Sequence, residues 1–201
     1  VLLLSLLLRG GYAPSALTAF GAHIGQTIGG VIDFPYSPVR LVVLMLPPDA
    51  DVAHVQLVRN AAGISYLISL VSLAVFVVVQ RVRRWPVRSG AFNVWVNLPP
   101  FDPTAGGDVV ERLERDARFN IALGFLLPFL VPAVIKSATS HFGAVSLENP
   151  HTLIWTVAAW AFLPASLFMR GIAMGRIASM ISEKRMNSAD KTDGQDGLVT
   201  A

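Results

Sequence analysis

Three stretches of this chain, residues 61–80, 119–135 and 152–169, contain no Asp, Glu, Lys or Arg. A bilayer's hydrocarbon core takes roughly 20 apolar helical residues to cross, with ~17 as a lower limit. The three stretches meet that requirement. The fold expected is therefore all-α: a polytopic transmembrane protein with three spans. A fourth span is possible within residues 1–32. Composition agrees, because 53% of the 201 residues are hydrophobic and only 14% charged. A soluble domain usually carries roughly 25% charged residues.

The charges that remain give the spans a direction. Arg81, Arg83, Arg84 and Arg88 follow the first run, with Trp85 among them. Such a cluster marks the cytoplasmic side. Arg170, Arg176, Lys184 and Arg185 follow the third run, whereas 137–151 holds no Lys or Arg. The first span thus runs outside to inside, the second returns, and the third leaves the C-terminus cytoplasmic. The arginines at 81, 83, 84 and 88 also suit anionic lipid head groups. Nucleic acid is not an expected partner, because the one dense basic cluster abuts a span.

There are no cysteines, which removes disulfides, thiol catalysis and cysteine-held metals. Of the 16 basic residues 13 are arginine, and Ala, Val and Gly are abundant. That usage suits a GC-rich bacterial genome and a bacterial inner membrane. Val1 in place of Met fits either a GTG start or a fragment.

The segments between the runs complete the organisation expected. Val1 to Leu8 is intensely apolar but short, and Arg9-Gly10-Gly11 ends it. Residues 1–60 form an N-terminal segment: a marginally apolar helix and an external or interfacial loop. Residues 33–38, Asp-Phe-Pro-Tyr-Ser-Pro, read as a turn, and the short apolar run at 41–46 reads as buried or interfacial. Residues 81–118 form a cytoplasmic basic loop and a short amphipathic helix. Asp108 is its plausible N-cap, and Glu111–Arg115 and Glu114–Arg118 stand four apart with acid before base. Residues 136–151 form an external loop. Residues 170–186 suit an amphipathic helix lying on the membrane surface, with Ile172, Ile177, Met180 and Ile181 as its apolar edge. Residues 187–201 read as a disordered tail.

Three faces suit helix packing. Gly21, Gly25 and Gly29 recur every fourth residue, where small residues let backbones approach. Ser65, Ser69 and Ser72 line one side of the first span together with Ala61. Asn120, Gly124, Pro128 and Pro132 share a ridge of the second. Prolines inside a helix leave carbonyls of the preceding turn unpaired and kink it. Neighbouring helices can satisfy such groups, so the ridge is expected to face protein.

Catalytic signals are sparse. His23, His141 and His151 are the residues that a haem or metal would have to use, and all lie outside the three runs, as does His54. Asp33, Asp49, Asp51 and Glu148 are expected outside, and Asp49-Ala-Asp51 lacks the further ligands of a calcium loop. Nucleophile elbows, phosphate loops and zinc-helix motifs do not occur. No cofactor and no catalytic residue is predicted. The spans also lack the acids that mark proton and ion paths. The expected role is a non-catalytic accessory or assembly subunit of a larger membrane complex, with the bilayer and other membrane subunits, or a second copy, as partners. The alternatives are a transport or channel component working as an oligomer, and a haem-binding or other membrane enzyme subunit.

Overall fold

The computed structural model describes residues 16–82, 108–142 and 150–199. Five helices make up these residues, and no strand occurs among them. Helix α1 is Ala16–Ile32, α2 is Pro38–Val43, α3 is Val52–Val82, α4 is Val109–Phe142 and α5 is Pro150–Val199. Helices α3, α4 and α5 are each long and apolar enough to cross a membrane. Among the described residues the protein is all-helical, with three such helices. Within the possible fourth span, residues 16–32 form the 17-residue helix α1, which is not among the helices long and apolar enough to cross a membrane. The reading of residues 1–8 lies outside the described residues.

The helix ends follow from local chemistry. After α1 the chain reverses at Phe34-Pro35-Tyr36-Ser37. Pro35 presets φ for the second turn position, Tyr36 takes φ 66°, and the Ser37 N–H closes onto Phe34 O at 3.0 Å. Ser37 then caps α2: its hydroxyl accepts the Arg40 N–H at 3.0 Å, with Pro38 at the first helical position. Asp108 caps α4, its carboxylate accepting the Val110 N–H at 3.1 Å. Pro128, Pro132 and Pro164 lie inside helices that continue through them.

The long helices run past the segments that charge sets apart. Helix α3 begins at Val52, so the polar lead-in at 52–60 is continuous with the first run. Helix α4 joins the expected amphipathic turn and the second run into one element, and extends to Phe142. In α5 the third run, the expected surface helix and residues 187–199 of the tail are one helix. Beyond Pro164 no proline interrupts the ladder there. Charge patterning marks where a helix leaves a membrane, not where its hydrogen bonds stop.

The contacts group into two compact units. One holds Val1–Ala74 with Leu123–Ser166, and the other Val75–Ala122 with Leu167–Ala201. In the first, α2 and the turn after it supply Val39, Val42, Met45 and Leu46 to a core shared with Val58 and Ala62 of α3 and Leu153, Val157, Trp160 and Ala161 of α5. Of the short run at 41–46, Val42, Met45 and Leu46 are thus buried, whereas Leu44 is exposed. In the second, Leu113 of α4 packs on Ile177 and Ala178 of α5, with Val109, Val110, Met174 and Ile181 around them. Ile177 and Ile181, read from sequence as a surface edge, here meet α4, which presents a matching apolar face. Outside these cores the spans show lipid-suited surface. Val71, Val75 and Val78 of α3, Phe119, Phe125 and Val134 of α4, and Trp155 and Phe162 of α5 are all exposed.

Candidate functional site

A close helix approach in the first unit is built on glycine. A methyl group added at Gly63 of α3 would stand 2.8 Å from the Cα of Gly29 on α1. One added at Gly29 would stand 3.1 Å from Arg59 O and from the Cα of Asn60. One turn back, a methyl at Gly25 would meet Ile64 Cδ1 at 2.9 Å. Gly21, Gly25 and Gly29 are all buried. Asn60 strengthens the crossing: its amide nitrogen donates to Gly25 O on α1 and to Gln56 O on its own helix, each at 3.2 Å. Gly63 and Asn60 belong to this site but carry no spacing pattern of their own. Their sequence signal is a glycine inside an apolar run and an amide one residue before it.

A second junction, also in the first unit, joins the three long helices. Pro132 has no N–H, so the carbonyl of Pro128, four residues earlier, loses its helical donor. Trp160 of α5 supplies one, its indole Nε1–H donating to Pro128 O at 3.0 Å. Trp160 is 2% exposed, and Tyr66 of α3 stacks on it with ring centroids 5.6 Å apart and planes 26° apart. One indole therefore satisfies α4, stacks on α3 and is carried by α5. Gly124, Pro128 and Pro132 of the ridge are buried and Asn120 is half-buried.

Hydroxyls on all three long helices bond their own backbone. Ser65 donates to Ala61 O at 2.8 Å, Thr139 to Ile135 O at 2.9 Å, and Ser166 to Leu163 O at 2.8 Å. Asn120 donates to Asp116 O at 2.7 Å, and its amide also lies 4.0 Å from Met174 Sδ. A hydroxyl bonded to its own helix is not activated by a histidine or carboxylate, as nucleophilic catalysis requires. The serine line of α3 is unevenly covered: Ala61 and Ser65 are buried, Ser69 is half-buried and Ser72 is exposed.

Charge gathers at two places. In the first unit Asp33, with its side chain 6% exposed, meets Arg40 at 3.2 Å and Arg59 at 3.7 Å. These contacts tie the turn after α1 to α2 and α3. In the second unit Asp108 meets Arg185 of α5 at 2.7 Å. The hydrogen bond from Arg185 and that from the Val110 N–H hold the Asp108 carboxyl below its ordinary range. Glu111, Glu114, Arg115 and Arg118 are all exposed, and among the described residues the expected pairs between them do not close. Long side chains in water lose entropy on pairing, which offsets the small gain.

His23 is exposed on α1, His141 in the last turn of α4 and His151 at the start of α5. Among the described residues no three His, Asp or Glu side chains gather in a metal-binding group. Arg81 lies at the exposed end of α3. Arg83, Arg84, Arg88 and Glu148 lie outside the described residues. No family model matches the chain, and no curated protein or solved structure is similar to it.

Proposed function

We propose that this protein is a non-catalytic accessory or assembly subunit of a larger membrane complex. The observation that carries the reading is the bond from Trp160 to Pro128 O. Prolines four apart would serve a transporter as a hinge or a path lining, where freed carbonyls meet water or ions. Here the carbonyl freed by Pro132 is closed by a buried indole, which suits a packed scaffold. The exposed Ser72, continuing the face of the buried Ala61 and Ser65, offers a neighbouring subunit a place of close approach. The arginines after the first and third runs support a cytoplasmic C-terminus, and the composition supports a bacterial inner membrane.

Purification in gentle detergent tests the reading. The expected result is a partner in fixed stoichiometry, released by Ser72→Trp and kept by Leu70→Trp on the opposite face of α3. Recovery of the wild-type protein as a lone monomer overturns it. The transport alternative predicts something else: in reconstituted vesicles Pro128→Ala with Pro132→Ala would abolish flux while leaving assembly intact.

A further inference from the structure

The second unit contains a cavity of about 700 Å³ lined by Gln80 and Arg81 of α3 and by Ile172, Arg176 and Ser179 of α5. Residues 172, 176 and 179 lie four and three apart, so they share one helix face. Among the described residues neither Arg81 nor Arg176 has an acidic partner within ion-pair distance. Gln80 is only 8% exposed, yet its side-chain Nε2 has no hydrogen-bond acceptor among the described residues. A buried amide donor without an acceptor is costly, and buried polar groups are nearly always paired. Two guanidinium groups and an orphaned amide N–H around one cavity leave an excess of donors without a matching acid. Ser179 donates to Gly175 O at 3.0 Å, so its lone pairs stay open to a hydroxyl. Ile172 gives the cavity an apolar wall.

We infer that this cavity is a binding site for a phosphate-ester anion, with Arg81 and Arg176 opposite the oxyanion and the Gln80 amide donating to it. Guanidinium groups match phosphate oxygens through charge-assisted hydrogen bonds. Basic pockets between membrane helices bind lipid phosphates by this chemistry. The Ser179 oxygen accepts a hydroxyl from the ester's alcohol, as a glycerol head group would offer. The site lies beyond the proposed assembly role and stands or falls separately from it.

Native mass spectrometry of the full chain in detergent, with phosphatidylglycerol or phosphatidylcholine added, tests the site. The wild type should retain phosphatidylglycerol about tenfold better, and Arg81→Ala or Arg176→Ala should each weaken it about fivefold. Gln80→Leu keeps every charge and should still weaken retention several-fold. Arg118→Ala removes an arginine outside the cavity and should leave retention within about twofold. Displacement of the lipid by millimolar inorganic phosphate would assign the site to soluble phosphate, and persistence would assign it to the lipid head group. Equal retention of the two lipids overturns the proposal. So does a loss on Arg118→Ala matching that on Arg176→Ala, because surface charge alone would then account for binding.

Discussion

A single missing N–H organises a junction of three helices. Pro132 deprives Pro128 O of its donor, and the Trp160 indole replaces it. Trp160→Phe keeps most of the ring but removes the donor, leaving a buried carbonyl unpaired. The expected cost is about 1–2 kcal/mol, read as a lower unfolding midpoint in detergent. Pro132→Ala restores a backbone N–H four residues after Pro128, so Trp160→Phe should cost much less in that background. The double-mutant cycle measures this coupling, and strictly additive effects would contradict it. The need was legible in the sequence, because an internal proline always frees a carbonyl. The residue that meets it was not, since Trp160 lies 32 positions away from Pro128. Only the packing of α5 on α4 brings the two together.

At the scale of elements, glycine decides where helices touch. Gly63→Ala places a methyl 2.8 Å from the Gly29 backbone, which cannot swing aside. It should destabilise by about 1–3 kcal/mol. At Gly30, one residue from that crossing, an added methyl meets nothing within 4 Å. Gly30→Ala should be neutral or stabilise by up to about 1 kcal/mol through helix propensity. Thermal melts of the two variants give the comparison. The four-residue glycine spacing marked one side of this crossing, whereas Gly63 is isolated in its run and took its meaning only from α1. In the second unit Asp108 and Arg185 join α4 to α5 by charge. The folded Asp108 carboxyl titrates below its ordinary 3.8. Its contribution is therefore present above that value and is lost as pH falls through the depressed folded value. An acid titration of stability should show wild type converging on Asp108→Asn below about pH 4, and lying slightly above it at neutral pH. The pair is exposed, so added salt should narrow the gap.

For the whole molecule, uncharged length predicted the all-helical class and the three long helices, because bilayer thickness acts directly on that property. Their full extents were less legible. Residues 170–186 were legible as helix, whereas 187–199, polar enough to read as a disordered tail, continue α5. Reporter fusions after residues 88 and 184 should read cytoplasmic, and one near Ser146 external. An external signal at 88 would overturn the orientation. The Trp160 junction also bears on the order of synthesis. Chains fold from the N-terminus as they are made, so α1 and α3 can meet across Gly29 and Gly63 while α5 is still unwritten. The indole arrives after both of its partners, Tyr66 and Pro128. A nascent chain cut short before Trp160 retains both partners of the first crossing but leaves Pro128 O without its donor, so this junction is the last part of the first unit to close.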